Sequence, residues 1–183
     1  MPTWVVTVLL EDDLLALNRA VGIIRRRNLA LSGLTLGPTG RAGLCRLAVT
    51  VTGDAAATER LANQFRKMVG VAGVTVHAEA DCAARDHLLV RMRVAPATFP
   101  ALLDTLALFE ARVVEERATD LLVEATGSAP FMVSFLRALE TFGVLDVARG
   151  SALTLPPRAA AEASGAAPPA TSDAPRMATA IPA

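Results

Sequence analysis

The chain has 183 residues, 52% of them apolar, and its 18 Lys+Arg balance 18 Asp+Glu, giving no formal net charge. This apolar content excludes global disorder and allows one ordinary domain or two small ones to pack a core. The lack of basic excess argues against a dedicated nucleic-acid binder, and two cysteines, Cys45 and Cys82, make no disulfide framework and suit a reducing compartment.

Taken in chain order, Trp4 to Leu10 is β-branched and nearly continuous and reads as a buried strand. Glu11-Asp12-Asp13 follows, with Asp12 or Asp13 as a helix cap. Leu14, Leu17, Val21 and Ile24 then recur at helical spacing, and Arg25 to Arg27 close the helix at the negative end of its dipole. Leu29 to Leu36 is a second strand, with a bulge expected at Ser32-Gly33. The turn-forming segment Gly37 to Gly43 joins it as a hairpin to a third strand, where Cys45, Leu47, Val49 and Val51 alternate with polar or small residues. Gly53-Asp54 opens a helix with Leu61, Phe65 and Met68 inside, and Val71 to Val76 is a fourth strand.

The order then recurs. Leu88 to Val94 reads as a strand, and Thr98 caps a helix with Pro100 in its first turn and Leu102, Leu103 and Leu106 inside. Arg112 to Glu116 and Leu121 to Ala125 are strands, Ser128 caps a helix carrying Phe131, Phe135 and Leu139, and Val144 to Val147 is the last strand. Thr52-Gly53-Asp54 against Thr126-Gly127-Ser128 gives an offset of 126 − 52 = 74, which Phe65 and Leu139 share. The pattern predicts an α+β protein of two tandem ferredoxin-like (βαββαβ) modules at 3–79 and 87–155, a linker at 80–86, and a disordered Pro/Ala-rich tail at 156–183.

Little in the sequence suggests catalysis. His77 and His87 lack partners at metal-ligand spacing and read as surface strand positions. Cys45 falls on an apolar strand face, and Asp81 beside Cys82 would raise a thiol pKa, not activate it. The Gly37–Gly43 segment lacks the Gly-Lys-Ser/Thr ending of a phosphate loop and leads into a strand. Glu11, Asp12 and Asp13 could suggest a cation site, but helix capping explains them. Base-stacking aromatics are missing from the third strand, and the chain has no Tyr, which sets aside the RNA-binding relatives of this fold. No apolar run reaches the ~18 residues of a membrane span. Met1-Pro2-Thr3-Trp4 lacks the charged start of a signal peptide, so a cytoplasmic location is expected. A near-neutral surface with this much apolar content hints at a partner or at self-association.

Several motifs, in order, resemble the small subunits of acetolactate synthase. They are Leu9-Leu10-Glu11-Asp12-Asp13-Leu14-Leu15-Ala16-Leu17-Asn18-Arg19, Gly33-Leu34-Thr35-Leu36-Gly37-Pro38-Thr39, and Gln64-Phe65-Arg66-Lys67-Met68-Val69-Gly70-Val71. Arg85 to Val90, Ala125-Thr126-Gly127 and Val144 to Arg149 continue the likeness, which covers about residues 3 to 155. The resemblance implies an ACT domain followed by a second ferredoxin-like domain, with no catalytic residue, metal or cofactor in this chain. It implies a catalytic large subunit as partner, carrying thiamine diphosphate, Mg²⁺ and FAD, and a role in branched-chain amino-acid synthesis. It also implies a homodimer through the ACT domains, a branched-chain amino acid as effector, and no nucleic-acid or membrane partner. The effector site falls on Asp12, Asp13, Leu14, Leu15, Ala16, Leu17, Ala30 and Leu31, and partner contact on Glu11, Arg19, Thr35 and Pro38. The family pattern has Asn at Asp12, Gly at Leu15 and Asn at Ala30, so valine feedback is expected to be weakened or lost. The competing reading is a stand-alone ACT protein that senses another amino acid.

Overall fold

The computed structural model describes residues 1–27, 29–117 and 120–156; the expected tail from 157 onward lies outside the described residues. The first module runs β1 (Thr3–Glu11), α1 (Leu14–Arg26), β2 (Ala30–Pro38), β3 (Leu44–Thr52), α2 (Ala55–Arg66) and β4 (Val71–Ala78). Its strands form an antiparallel sheet in the order β2-β3-β1-β4. The second runs β5 (Ala83–Arg93), α3 (Phe99–Leu108), β6 (Arg112–Arg117), β7 (Asp120–Gly127), α4 (Ala129–Leu139) and β8 (Val144–Arg149), in the order β6-β7-β5-β8. Both are βαββαβ units, as the repeat predicts.

Alternation along the strands builds each core. Val6, Val8 and Leu10 of β1 share a face with Cys45, Leu47, Val49 and Val51 of β3, and α2 covers them with Leu61, Ala62 and Phe65. In the second module Leu88, Val90 and Met92 of β5 meet Leu121, Val123 and Ala125 of β7 under Met132, Phe135 and Leu139 of α4. The register slips between Leu31 and Gly33, where the bulge was expected. Two helix starts show the repeat at atomic level. The Asp54 carboxylate accepts from the Ala57 N–H at 2.6 Å, and the Ser128 hydroxyl accepts from the Phe131 N–H at 3.4 Å.

Several expectations are corrected. The buried stripe of α1 is Ala16, Ala20 and Ile23, while Leu17 and Ile24 are half-buried and Leu14 and Val21 are exposed. Small alanines let the helix approach the sheet, and periodicity weighted by side-chain size favours the larger residues instead. Similarly, Leu102 and Leu106 of α3 are buried but Leu103 is exposed. Asp13 and Thr98 occupy N-cap positions without a side-chain cap bond; the Thr98 hydroxyl donates instead to the Ala95 carbonyl at 3.1 Å.

A further correction concerns chain organisation. The segment read as a linker, 80–86, contains the end of a 3₁₀ turn (Glu79–Asp81) and the first residues of β5. A further strand beyond the expected last one, β9 (Leu153–Leu155), pairs with Ala83, Ala84 and Arg85 of β5. Strand β5 therefore outruns the second sheet, and its first residues and β9 make a ribbon against the helix-free face of the first sheet. On that face Val5, Thr7 and Ala48 are buried, and Ser151 approaches Gly33. At the other end of β5, Gly143 holds φ +79° and a Cβ there would stand 2.5 Å from the Arg93 carbonyl, so only glycine fits the turn into β8.

Candidate effector and partner surface

The β1–α1 loop is held by its backbone. The Glu11 N–H donates to the Gly70 carbonyl at 2.8 Å, the Asp12 N–H to Gly43 at 3.0 Å, and the Asp13 N–H to Glu11 at 2.8 Å. Strand β1 therefore delivers the chain into α1 at a fixed angle between the β2–β3 hairpin and the start of β4. The first intrahelical bond runs from the Leu17 N–H to the Asp13 carbonyl at 3.1 Å. No side chain caps the start, which lies open to solvent with Asp12, Asp13, Leu14 and Leu15 exposed. Such a terminus suits an anion, but two exposed carboxylates beside it oppose one. Ala16 points into the core and Leu17 is half-buried.

Ala30 and Leu31 do not join this loop within one chain. Ala30 pairs with Thr52, which pairs with Thr3, and Leu31 shares a row with Val51 and Trp4. Pro38 shares a row with Cys45 and Leu10, six residues along β1 and about 20 Å away. The effector candidates thus sit at opposite ends of the first sheet. Of the partner-contact candidates, Glu11 and Pro38 lie at the loop end and Arg19 is exposed on α1. Thr35 faces the opposite side of the sheet with Ala48 and Thr7. These four do not form one patch.

Edge strand β2 exposes Leu31 and Leu36, and α1 exposes Leu14, Leu15 and Val21. The second module likewise exposes Val113 and Val114 on its edge strand β6 and Leu103 and Leu108 on α3, while the helix-free face of its sheet is charged. Glu124 bonds His87 at 3.0 Å and Arg112 at 2.8 Å, and Arg93 meets Asp120 at 3.3 Å. Those bonds hold the Glu124 carboxyl below its ordinary pKa, Arg112 contributing most and His87 next. The two cysteine thiols move the other way. Burial first and then the Asp12 charge raise Cys45; burial, then Asp81 and Glu79, raise Cys82.

The seam between the modules was not anticipated from the sequence. Three buried polar atoms find no hydrogen-bond partner among the described residues: Thr7 Oγ1, His77 Nε2 and Thr154 Oγ1. His77 is half-buried, sharing the row of Val5 on the helix-free face, so it is not the surface position expected. Nothing local in the sequence signals this, because the covering ribbon comes from β5 and β9. Among the described residues no group of three or more His, Cys, Asp or Glu is placed to hold a metal ion, and no helix is long and apolar enough to cross a membrane.

Two βαββαβ modules in tandem, the first with an uncapped helix start beside an exposed sheet edge, define a tandem ferredoxin-like protein. Residues 12–74 match the family described as ACT domain, and residues 85–156 match the family described as small subunit of acetolactate synthase. The acetolactate synthase small subunit of Mycobacterium leprae is 28% identical over 155 residues, spanning 85% of this chain and 92% of that protein. That of Mycolicibacterium smegmatis is 26% identical over 154 residues, spanning 84% and 91%. The crystal structure of the Thermotoga maritima acetolactate synthase small subunit superposes with a TM-score of 0.76 at 21% identity, covering 85% of this chain and 97% of that one. Along most of its length the chain is similar to acetolactate synthase small subunits.

Proposed function

We propose that this chain is the non-catalytic regulatory subunit of an acetolactate synthase, acting in the cytoplasm in branched-chain amino-acid biosynthesis. It binds the catalytic large subunit and raises its activity. The carrying observation is that both family matches lie in order along one chain that spans nearly the whole of its relatives. In this reading thiamine diphosphate, Mg²⁺ and FAD belong to the large subunit. Titrating this chain into its cognate large subunit by calorimetry tests the association; saturable binding is expected, and its absence would refute the reading.

The ACT modules form a homodimer by pairing β2 with β2 of a second copy. Two observations support this: the unpaired edge carries Leu31 and Leu36 beside exposed apolar residues of α1, and the effector candidates lie at opposite ends of one sheet. Antiparallel β2 pairing puts Ala30 and Leu31 of one copy at the end where the partner's α1 begins. Sedimentation at micromolar concentration reads a dimer; a monomer contradicts it.

Valine binds this dimer weakly or not at all. Leu15 puts a branched side chain at the open helix start, Ala30 offers no amide, and Asp12 adds a negative charge. Each lost hydrogen bond to a charged ligand costs about 1.5–3 kcal/mol, so two such losses weaken binding by roughly a hundredfold or more. Calorimetry with valine, leucine and isoleucine tests this, and micromolar valine affinity would contradict it.

A further inference from the structure

A cavity of 380 Å³ opens in the seam, between the β2–β3 hairpin and the β5–β9 ribbon. Its volume lies in the range of small-molecule sites, about 300–1,000 Å³. Gly37 and Ala48 form its floor on the first sheet, and Leu153, Thr154 and Leu155 approach from β9. The walls are almost wholly apolar, and the charged residues that contribute to the lining are Arg46 and Arg85, whose long side chains bury their stems and can carry the guanidinium to the mouth. Neither arginine has an acidic partner within ion-pair distance among the described residues; Arg85 Nη1 only donates to the neighbouring Ala84 carbonyl at 2.8 Å. No lining residue is acidic.

We propose that this seam cavity binds a free aliphatic monocarboxylate lacking an ammonium group, with the chain against Ala48 and Leu153 and the carboxylate on Arg46 and Arg85. An arginine fork matches a carboxylate in shape and charge. An amino acid is disfavoured, because nothing on the walls pairs its ammonium. The neighbouring seam cavity differs in this respect: Glu79 and Asp86 line it together with Arg149. The proposed site shares no residue with the α1 start and does not depend on the acetolactate synthase assignment.

The test uses the whole chain with octanoate as probe and octylamine as its cationic counterpart, followed by calorimetry and backbone NMR. Octanoate should bind saturably with a dissociation constant of about 1 mM or below, shifting the Ala48, Leu153 and Thr154 amides. Octylamine should bind at least about tenfold more weakly. Gly37→Leu blocks the cavity without strain at its own site, since a Cβ at Gly37 meets nothing within 4 Å and the backbone there is not left-handed. That variant should weaken octanoate at least about tenfold, and the double variant Arg46→Gln, Arg85→Gln should do the same by removing charge. Absence of saturable octanoate binding, equal binding of octylamine, or unchanged affinity in Gly37→Leu would each overturn the proposal.

Discussion

The two modules share one topology but treat their helix-free faces in opposite ways. The first buries Val5, Thr7 and Ala48 beneath the β5–β9 ribbon, while the second leaves its face to solvent behind Arg112, Glu124, His87, Arg93 and Asp120. Their helix starts agree instead: in each module the first helix, α1 or α3, lacks a side-chain cap and the second, α2 or α4, has one. A duplicated unit can therefore turn one sheet face to solvent in one copy and bury it in the other: polar pairs keep the second face hydrated, and the β5–β9 ribbon keeps the first one dry.

The largest effect should come from the equivalent cores. Phe65→Ala and Phe135→Ala each remove a fully buried ring and should cost about 3–5 kcal/mol in urea unfolding. Because the ribbon joins the two sheets, both variants should lower one common transition; two separable transitions would break the claim that the seam couples the modules. Next is the ion pair that anchors β8 to β5. Asp86 is 5% exposed and accepts from Arg149 Nε at 2.9 Å. Asp86→Ala should cost about 2–3 kcal/mol, below a fully buried pair because the Arg149 side chain is 38% exposed.

The helix starts supply a graded comparison. Asp54→Ala should lose about 1 kcal/mol, Ser128→Ala rather less given its longer bond, and Asp13→Ala almost nothing. Equal losses at all three would erase the distinction between closed and open starts. The smallest effect is pH-dependent. Glu124 has a folded pKa below its ordinary 4.5, so its contribution is present above that value and fades as pH falls through the lowered folded pKa. Urea midpoints followed below pH 4.5 should fall slightly less steeply in Glu124→Gln; identical profiles would show that the ladder is electrostatically silent.

Much of this architecture is legible in the residues. The strand alternation of Cys45 to Val51, the bulge at Ser32-Gly33, the caps at Asp54 and Ser128, and the repeat offset all reflect local patterning. The exposed side of α1 does not follow from its large apolar residues, because close packing there uses Ala16 and Ala20. Strand β9 and the burial of Thr7 and His77 escaped because they arise from segments far apart in the chain. Of the candidate site, the loop Glu11–Leu15 could be found by position, but its separation from Ala30 and Leu31 follows from strand register, which the hydrophobic pattern alone does not reveal.

Reconstitution decides whether the chain regulates a catalytic subunit. The purified chain is mixed with its cognate catalytic subunit, and acetolactate formation from pyruvate is followed as the chain is titrated. A regulatory subunit gives no activity alone and a saturable rise in the rate of the catalytic subunit, here undiminished by valine at concentrations that inhibit valine-sensitive enzymes. An unchanged rate at saturating chain, with the mixture well folded, would contradict it.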